Sequence, residues 1–172
     1  VGLTYPNPGR YADDGVDQAR GALMAIDEIN AEGGVMGREL ALVVGNSGRK
    51  GREQEQIDEL LKAGVSMAFG SSLTPKATAE AAAAANLLYF DSLFHAPDER
   101  IKSATVFYES CDSWMAAKAL AFYVNQQLRG QKLFYVSSDN RWGQMTESVL
   151  RKFTRTEDSR LHGQAMTRFP GP

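Results

Sequence analysis

Three turns of this 172-residue chain carry side chains suited to holding a small polar molecule. The first is Gly70-Ser71-Ser72-Leu73-Thr74-Pro75, between a short apolar run and a helix start. Thr74 is a good N-cap residue and Pro75 suits the first helical position. A helix N-terminus offers N–H groups and a partial positive charge, which favour a carboxylate or another anionic group. The hydroxyls of Ser71, Ser72 and Thr74 add donors, although from spacing alone plain capping by Thr74 is the simpler reading. The second turn is Asp91-Ser92-Leu93-Phe94-His95. Asp91 can neutralise an ammonium group, Ser92 supplies a hydroxyl, and Phe94 can wall a pocket. Phe90, just before them, fits core packing better than ligand contact. The third is Ser138-Asp139-Asn140-Arg141-Trp142-Gly143. Trp142 offers a broad rigid apolar face with one N–H donor, which can cover a ligand or stabilise a cation. It can equally act as a hydrophobic staple at a helix start.

A rival motif is Gly45-Asn46-Ser47-Gly48-Arg49-Lys50-Gly51-Arg52. A glycine-rich basic loop after a strand can cradle a phosphate. Its spacing matches neither G-x-G-x-x-G nor G-x-x-x-x-G-K-[ST], and a solvated basic loop accounts for it more simply. Support for catalysis is thin, and no residue is assigned a catalytic role. His95 and His162 lie far apart in the chain, and neither belongs to a metal-spaced pair. No G-x-S-x-G elbow occurs. The acidic pairs Asp13-Asp14 and Asp27-Glu28 read as solvated charges at a helix start and on a helix face. Cys111, the one cysteine, excludes an internal disulfide and a cysteine-based zinc site, and fits a half-buried free thiol. No cofactor or metal is implied.

These turns need a frame, and the pattern supplies one. Strands are expected over 1–5, 40–44, 65–69, 87–91, 104–108, 133–136 and 161–167. Helices are expected over 15–30, 53–62, from Pro75 through the alanine-rich stretch, 113–128 and 143–153. In the opening helix Ala19, Ala22, Leu23, Ile26 and Ile29 recur at the spacing that gives one buried face. Gly33 and Gly34 then stop it. In the helix over 113–128, Trp114, Ala117, Ala121, Val124 and Leu128 fall on one face. Strand–helix alternation with short apolar strands predicts an α/β protein: a parallel, doubly wound sheet with helices on both faces. Ligands of such sheets bind beyond the carboxyl ends of the strands, where the three turns lie.

Bulk composition excludes several classes. The chain is 43% hydrophobic and 23% charged, with a formal net charge of -2. That balance gives no electrostatic case for nucleic acid or an anionic membrane. No apolar run approaches the roughly 20 residues of a membrane-spanning helix. The chain opens directly in an expected strand with no leader segment, which a mature or a trimmed chain would show alike and which excludes nothing.

The wording of several segments is more specific than their pattern. Ala25-Ile26-Asp27-Glu28-Ile29-Asn30-Ala31-Glu32-Gly33-Gly34-Val35-Met36-Gly37-Arg38-Glu39-Leu40 resembles the first helix and turn of the type I periplasmic solute-binding proteins. This is the leucine/isoleucine/valine-binding family of extracellular ligand-binding receptors. The GSSLTP turn, the LLYFDS strand end and the SDNRWG turn are similar to family sequence as well. The resemblance covers the chain from Val1 to about Phe169, and the N-terminal half of a typical member. It implies one complete α/β lobe over 1–110 and an incomplete second α/β lobe over 111–172, with the first crossing near 110–112.

By resemblance, Ser72 and then Thr74 would hold the ligand's carboxylate or amide. Ser92, with Asp91 and Phe94, would meet its polar head, and Trp142 would close over it from the second lobe. The stretch 108–113 would be hinge and cap, with Asp112 or Ser113 capping the next helix. The chain departs from the pattern at Asp91-Ser92, where many relatives have serine-proline, and in the basic 45–52 loop, where relatives commonly are acidic. Ligand chemistry is therefore not carried over with the site. The implied function is the substrate-binding component of an ABC transporter, periplasmic or extracellular, either free or lipid-anchored. It would bind an amino acid, amide or related carboxylate by hinge closure and deliver it to a permease. Association into a dimer through the incomplete lobe is a further expectation. The same fold as the ligand-sensing domain of a receptor or regulator is one alternative. A nucleotide-using α/β enzyme built on the 45–51 loop is another, of a different class.

Overall fold

An amphipathic helix and a glycine turn begin the architecture, as the sequence leads one to expect. In the computed structural model, which describes residues 1–5, 12–46, 51–93 and 95–168, helix α1 spans Ala12–Ala31. Its buried stripe is narrower than the periodicity implies. Ala22 and Ile26 are buried, whereas Leu23 is 47% and Ile29 37% exposed. Gly33 and Gly34 follow with φ of 101° and 73°. A Cβ on Gly34 would stand 2.1 Å from the Arg38 carbonyl oxygen, so no other residue fits this turn. Asn30 then clamps the turn from inside the helix. Its Nδ2 donates to the Leu40 carbonyl at 2.9 Å, and its Oδ1 accepts from the Leu40 N–H at 2.7 Å.

The chain divides into two compact units. The first comprises Val1–Leu93 and Ile101–Glu109. Its strands are β1 (Gly2–Tyr5), β2 (Val43–Asn46), β3 (Met67–Gly70), β4 (Leu88–Asp91) and β5 (Val106–Tyr108). They form one five-stranded sheet in the order β2-β1-β3-β4-β5, with every neighbouring pair parallel. Helices α2 (Glu53–Lys62) and α3 (Pro75–Ala84) join α1 in this unit. The core gathers Ile57 and Leu60 from α2, Ala79 and Ala82 from α3, and Ala68 and Tyr89 from the sheet. The small side chains of α3 permit close packing on the sheet. Strand β2 starts three residues later than expected, because Asn30 already holds both backbone groups of Leu40.

The second unit comprises Phe94–Arg100 and Ser110–Gly171. The chain thus leaves the first unit after Leu93, returns at Ile101 and leaves again after Glu109, whereas the sequence suggested a first crossing at 110–112. A 3₁₀ turn at Pro97–Glu99 is followed by α4 (Ser113–Gln127), β6 (Phe134–Ser138), α5 (Arg141–Thr154) and β7 (Gly163–Thr167). Strands β6 and β7 pair in parallel, and α4 packs on α5. Ala117, Ala121, Tyr135 and Leu150 form the core. Trp114 and Leu128, expected on the buried face of α4, are instead 42% and 39% exposed. Trp114 lies edge-on to Phe153 at 5.9 Å, with the Lys118 ammonium 4.8 Å from its ring centre.

A buried ionic network organises this unit. Arg151 donates to Glu147 at 2.8 Å and to the carbonyls of Thr156, His162 and Gly163 at 2.9, 3.3 and 3.1 Å. Its guanidinium carbon sits 4.3 Å from the centre of the Tyr135 ring. Ser137 donates to the other Glu147 oxygen at 2.6 Å. One arginine thereby ties α5 to the segment entering β7, and its partner carboxylate reaches β6.

Candidate functional site in the turns beyond the strands

At the carboxyl end of β3 the chain must turn sharply. Gly70 has φ 132°, and a Cβ there would stand 2.0 Å from the Thr4 carbonyl oxygen. The turn that follows is hydrogen-bonded throughout. Ser71 donates its N–H to the Thr4 carbonyl at 2.8 Å and its hydroxyl to Gln18 Oε1 at 3.0 Å. Ser72, only 4% exposed, accepts the Thr74 N–H on its Oγ at 3.0 Å. Thr74 occupies the N-cap position of α3 with Pro75 after it, yet its side chain caps nothing. Its hydroxyl donates to Glu53 Oε1, at the start of α2, at 2.5 Å. Capping by the Thr74 hydroxyl, the simpler reading of the sequence, is therefore corrected: its proton goes to a carboxylate from another helix.

The end of β4 lies beside this turn, because Gly70 and Asp91 are register partners. Ser92 donates both its N–H and its Oγ to the Gly70 carbonyl, at 2.8 and 2.9 Å. Asp91 is 1% exposed, and its Oδ1 accepts from the Leu93 N–H at 3.1 Å. Its charge is felt next door. Burial, and then the nearby Asp91 carboxylate, push the Tyr89 phenol well above its ordinary range. The Tyr89 hydroxyl and Thr4 Oγ1 lie 2.9 Å apart. Phe90 stacks on Phe107 with ring centres 5.3 Å apart, but it is half-buried and not among the buried core residues expected to include it. Phe94 lies outside the described residues, as do 47–50 of the rival basic loop.

The turn of the second unit is built differently. Asn140, and not Gly143, opens α5: its Oδ1 caps the helix by accepting the Gly143 N–H at 2.8 Å. Gly143 serves close packing, since a Cβ there would stand 2.2 Å from the Ser138 carbonyl oxygen. Trp142 lies in the first turn of α5 and is half-buried. Its neighbour Arg141 pairs with Asp98, whose hydrogen bond and charge raise the guanidinium above its ordinary range.

The structure thus brings Ser72, Thr74, Asp91 and Ser92 to two adjacent strand ends of one sheet, and places Trp142 in the other unit. Two features escaped the sequence. One is Glu53, which reads as an ordinary acidic residue in a first helical turn. The other is a cluster in the second unit, where Arg100 donates to His95 Nε2 at 2.7 Å and pairs with Asp112 at 3.3 Å. His95 is buried, with its Nε2 accepting from Arg100. Asp112 caps α4 through the Met115 N–H at 2.8 Å, as expected of it. A histidine and an arginine five residues apart in a loop give no periodic signal.

The periplasmic binding protein family model matches residues 1–167. The chain belongs to the periplasmic binding protein family. The fold of this periplasmic binding protein is shared by solved ABC transporter proteins. The substrate-binding protein of Desulfitobacterium hafniense in complex with Leu has a TM-score of 0.76 at 20% identity, over 99% of this chain and 51% of that one. For LivJ of Streptococcus pneumoniae in complex with isoleucine the TM-score is 0.83 at 20% identity, over 98% and 48%. A solute-binding protein of R. palustris in complex with benzoate gives 0.78 at 15% identity, over 99% and 48%. No curated protein sequence matches this chain. This periplasmic binding protein spans about half the length of the solved chains it matches. Among the described residues, no helix is long and apolar enough to cross a membrane.

Proposed function

We propose that the chain is part of the substrate-binding component of an ABC transporter. It takes up a small polar solute of amino acid, amide or related type in the periplasm or outside the cell. Ser72, Thr74, Asp91, Ser92, Phe94 and Trp142 are the residues assigned to the solute, the first four through their polar groups and Trp142 through its ring. Closure occurs by a hinge, the segments joined at 93–94, 100–101 and 109–110 absorbing the backbone change. Delivery is to a membrane permease. The observation that carries this reading is the family match along 1–167, supported by the clustering of hydroxyls and a carboxylate at adjacent strand ends. Charge-assisted hydrogen bonds in a closed, drier cleft supply the affinity.

Native mass spectrometry of the intact gene product tests the reading. A single small solute retained at one-to-one stoichiometry, and lost from Trp142→Ala, is expected. A retained nucleotide, released by Arg49→Ala, would overturn it.

A further inference from the structure

The turn between β3 and α3 is held from three elements, and one of them is a helix outside the sheet. From β1, the Thr4 carbonyl accepts the Ser71 N–H at 2.8 Å. From the end of β4, Ser92 gives its N–H and its hydroxyl to the Gly70 carbonyl. From α1, Gln18 Oε1 accepts the Ser71 hydroxyl proton at 3.0 Å. Ser71 is 1% exposed, and both its N–H and its O–H are thereby spent inside the protein. The hydroxyl that the sequence offered as a ligand donor belongs instead to Gln18.

Gln18 stands where helical spacing calls for an apolar side chain. Gly15, Ala22 and Ile26 of α1 are buried, and Gln18 falls in line with them at the three/four spacing of one helix face. The first part of that face lies against the end of β1, since a Cβ on Gly15 would collide with the Tyr5 ring. Strand β3 is the neighbour of β1, with Thr4 and Gly70 in register. One helical turn beyond Gly15, Gln18 therefore meets the end of β3. A glutamine on this face gives up contact with water, and its bond to Ser71 replaces part of what is lost.

Resting on the reading of this turn as part of the solute site, we infer that Gln18 is its positioning residue. It fixes Ser71, and through Ser71 the backbone that carries Ser72 into α3. Leucine at this position would leave the Ser71 hydroxyl without its acceptor at a buried place. The hydroxyl would then compete for carbonyls already in use, and the turn would loosen. A carboxylate oxygen at the same position accepts the same proton. Gln18→Glu therefore keeps the hold, and Gln18→Leu removes it.

Amide hydrogen exchange and calorimetry on the intact gene product, with both variants, test this. Gln18→Leu is expected to speed exchange of the Ser71 and Ser92 amides about tenfold while the Tyr89 amide, bonded within the sheet, stays protected. Gln18→Glu is expected to restore the slow exchange. Leucine and leucinamide are the titrants, and whichever binds is expected to bind about tenfold more weakly to Gln18→Leu and nearly normally to Gln18→Glu. Unchanged exchange in Gln18→Leu overturns the inference. So does faster exchange with unchanged affinity, or faster exchange that includes Tyr89, and each leaves the binding-protein reading standing. Failure of both titrants to bind the unaltered protein counts against the proposed function instead, and the exchange comparison then decides whether Gln18 holds the turn.

Discussion

Ser92 gives two hydrogen bonds to one atom: its N–H and its hydroxyl both reach the Gly70 carbonyl, at 2.8 and 2.9 Å. The ends of β3 and β4 are thereby fastened beside the turn that carries Ser72 and Thr74. Ser92→Ala keeps the backbone bond and removes the other. A loss of about 1 kcal/mol in stability is expected by urea denaturation, with an unchanged slope.

Asn30 is the second fastening of the first unit. Replacing it by alanine removes both side-chain bonds to Leu40. Asn30→Ala is expected to cost about 2 kcal/mol in the same measurement. Hydrogen exchange of the Leu40 amide should accelerate more than that of the sheet core.

In the second unit the buried pair of Glu147 and Arg151 makes a sharper case. Arg151→Met leaves a buried carboxylate without its cation, which costs about 3–5 kcal/mol. Replacing both partners, Glu147→Leu with Arg151→Met, removes the stranded charge and should be less destabilising than the single change. A double variant that unfolds more readily than Arg151→Met would contradict this account of the network.

Tyr89 predicts an alkaline limit. Its folded-state pKa is raised, by burial first and by the Asp91 charge second. The unfolded phenol ionises near about pH 10, whereas the folded one resists. The contribution is therefore fully present below that pH and is lost as pH rises above it. The thermal midpoint should fall above about pH 10, and Tyr89→Phe should flatten that fall.

Much of this architecture can be read from residue order, and the exceptions have physical reasons. Helix α2 occupies the bounds its pattern suggests, because Ile57 and Leu60 mark one face and glycines stand on either side. Strand β2 does not, because the residue that delays it, Asn30, acts across ten positions through a side chain. Trp114 has the spacing of a core residue on α4 yet stays half exposed against Phe153. Hydrophobic spacing identifies a face without saying how far the neighbouring element extends to cover it. Glu147 and Arg151 show the reverse. Two charges at helical spacing read as a solvated surface pair, but here they are buried. At the candidate site the turns themselves were legible from strand ends and hydroxyls. The direction of the protons was not, because Glu53 reaches Thr74 from another helix.

Calorimetric titration of the intact gene product and its Ser72→Ala variant tests the central claim most directly. Leucinamide, leucine, isoleucine, benzoate and ATP are the titrants. The account predicts one-to-one binding of at least one of the first four, weakened about tenfold by Ser72→Ala, and no heat with ATP. Binding of ATP alone, indifferent to Ser72→Ala and abolished by Arg49→Ala with Lys50→Ala, would contradict it.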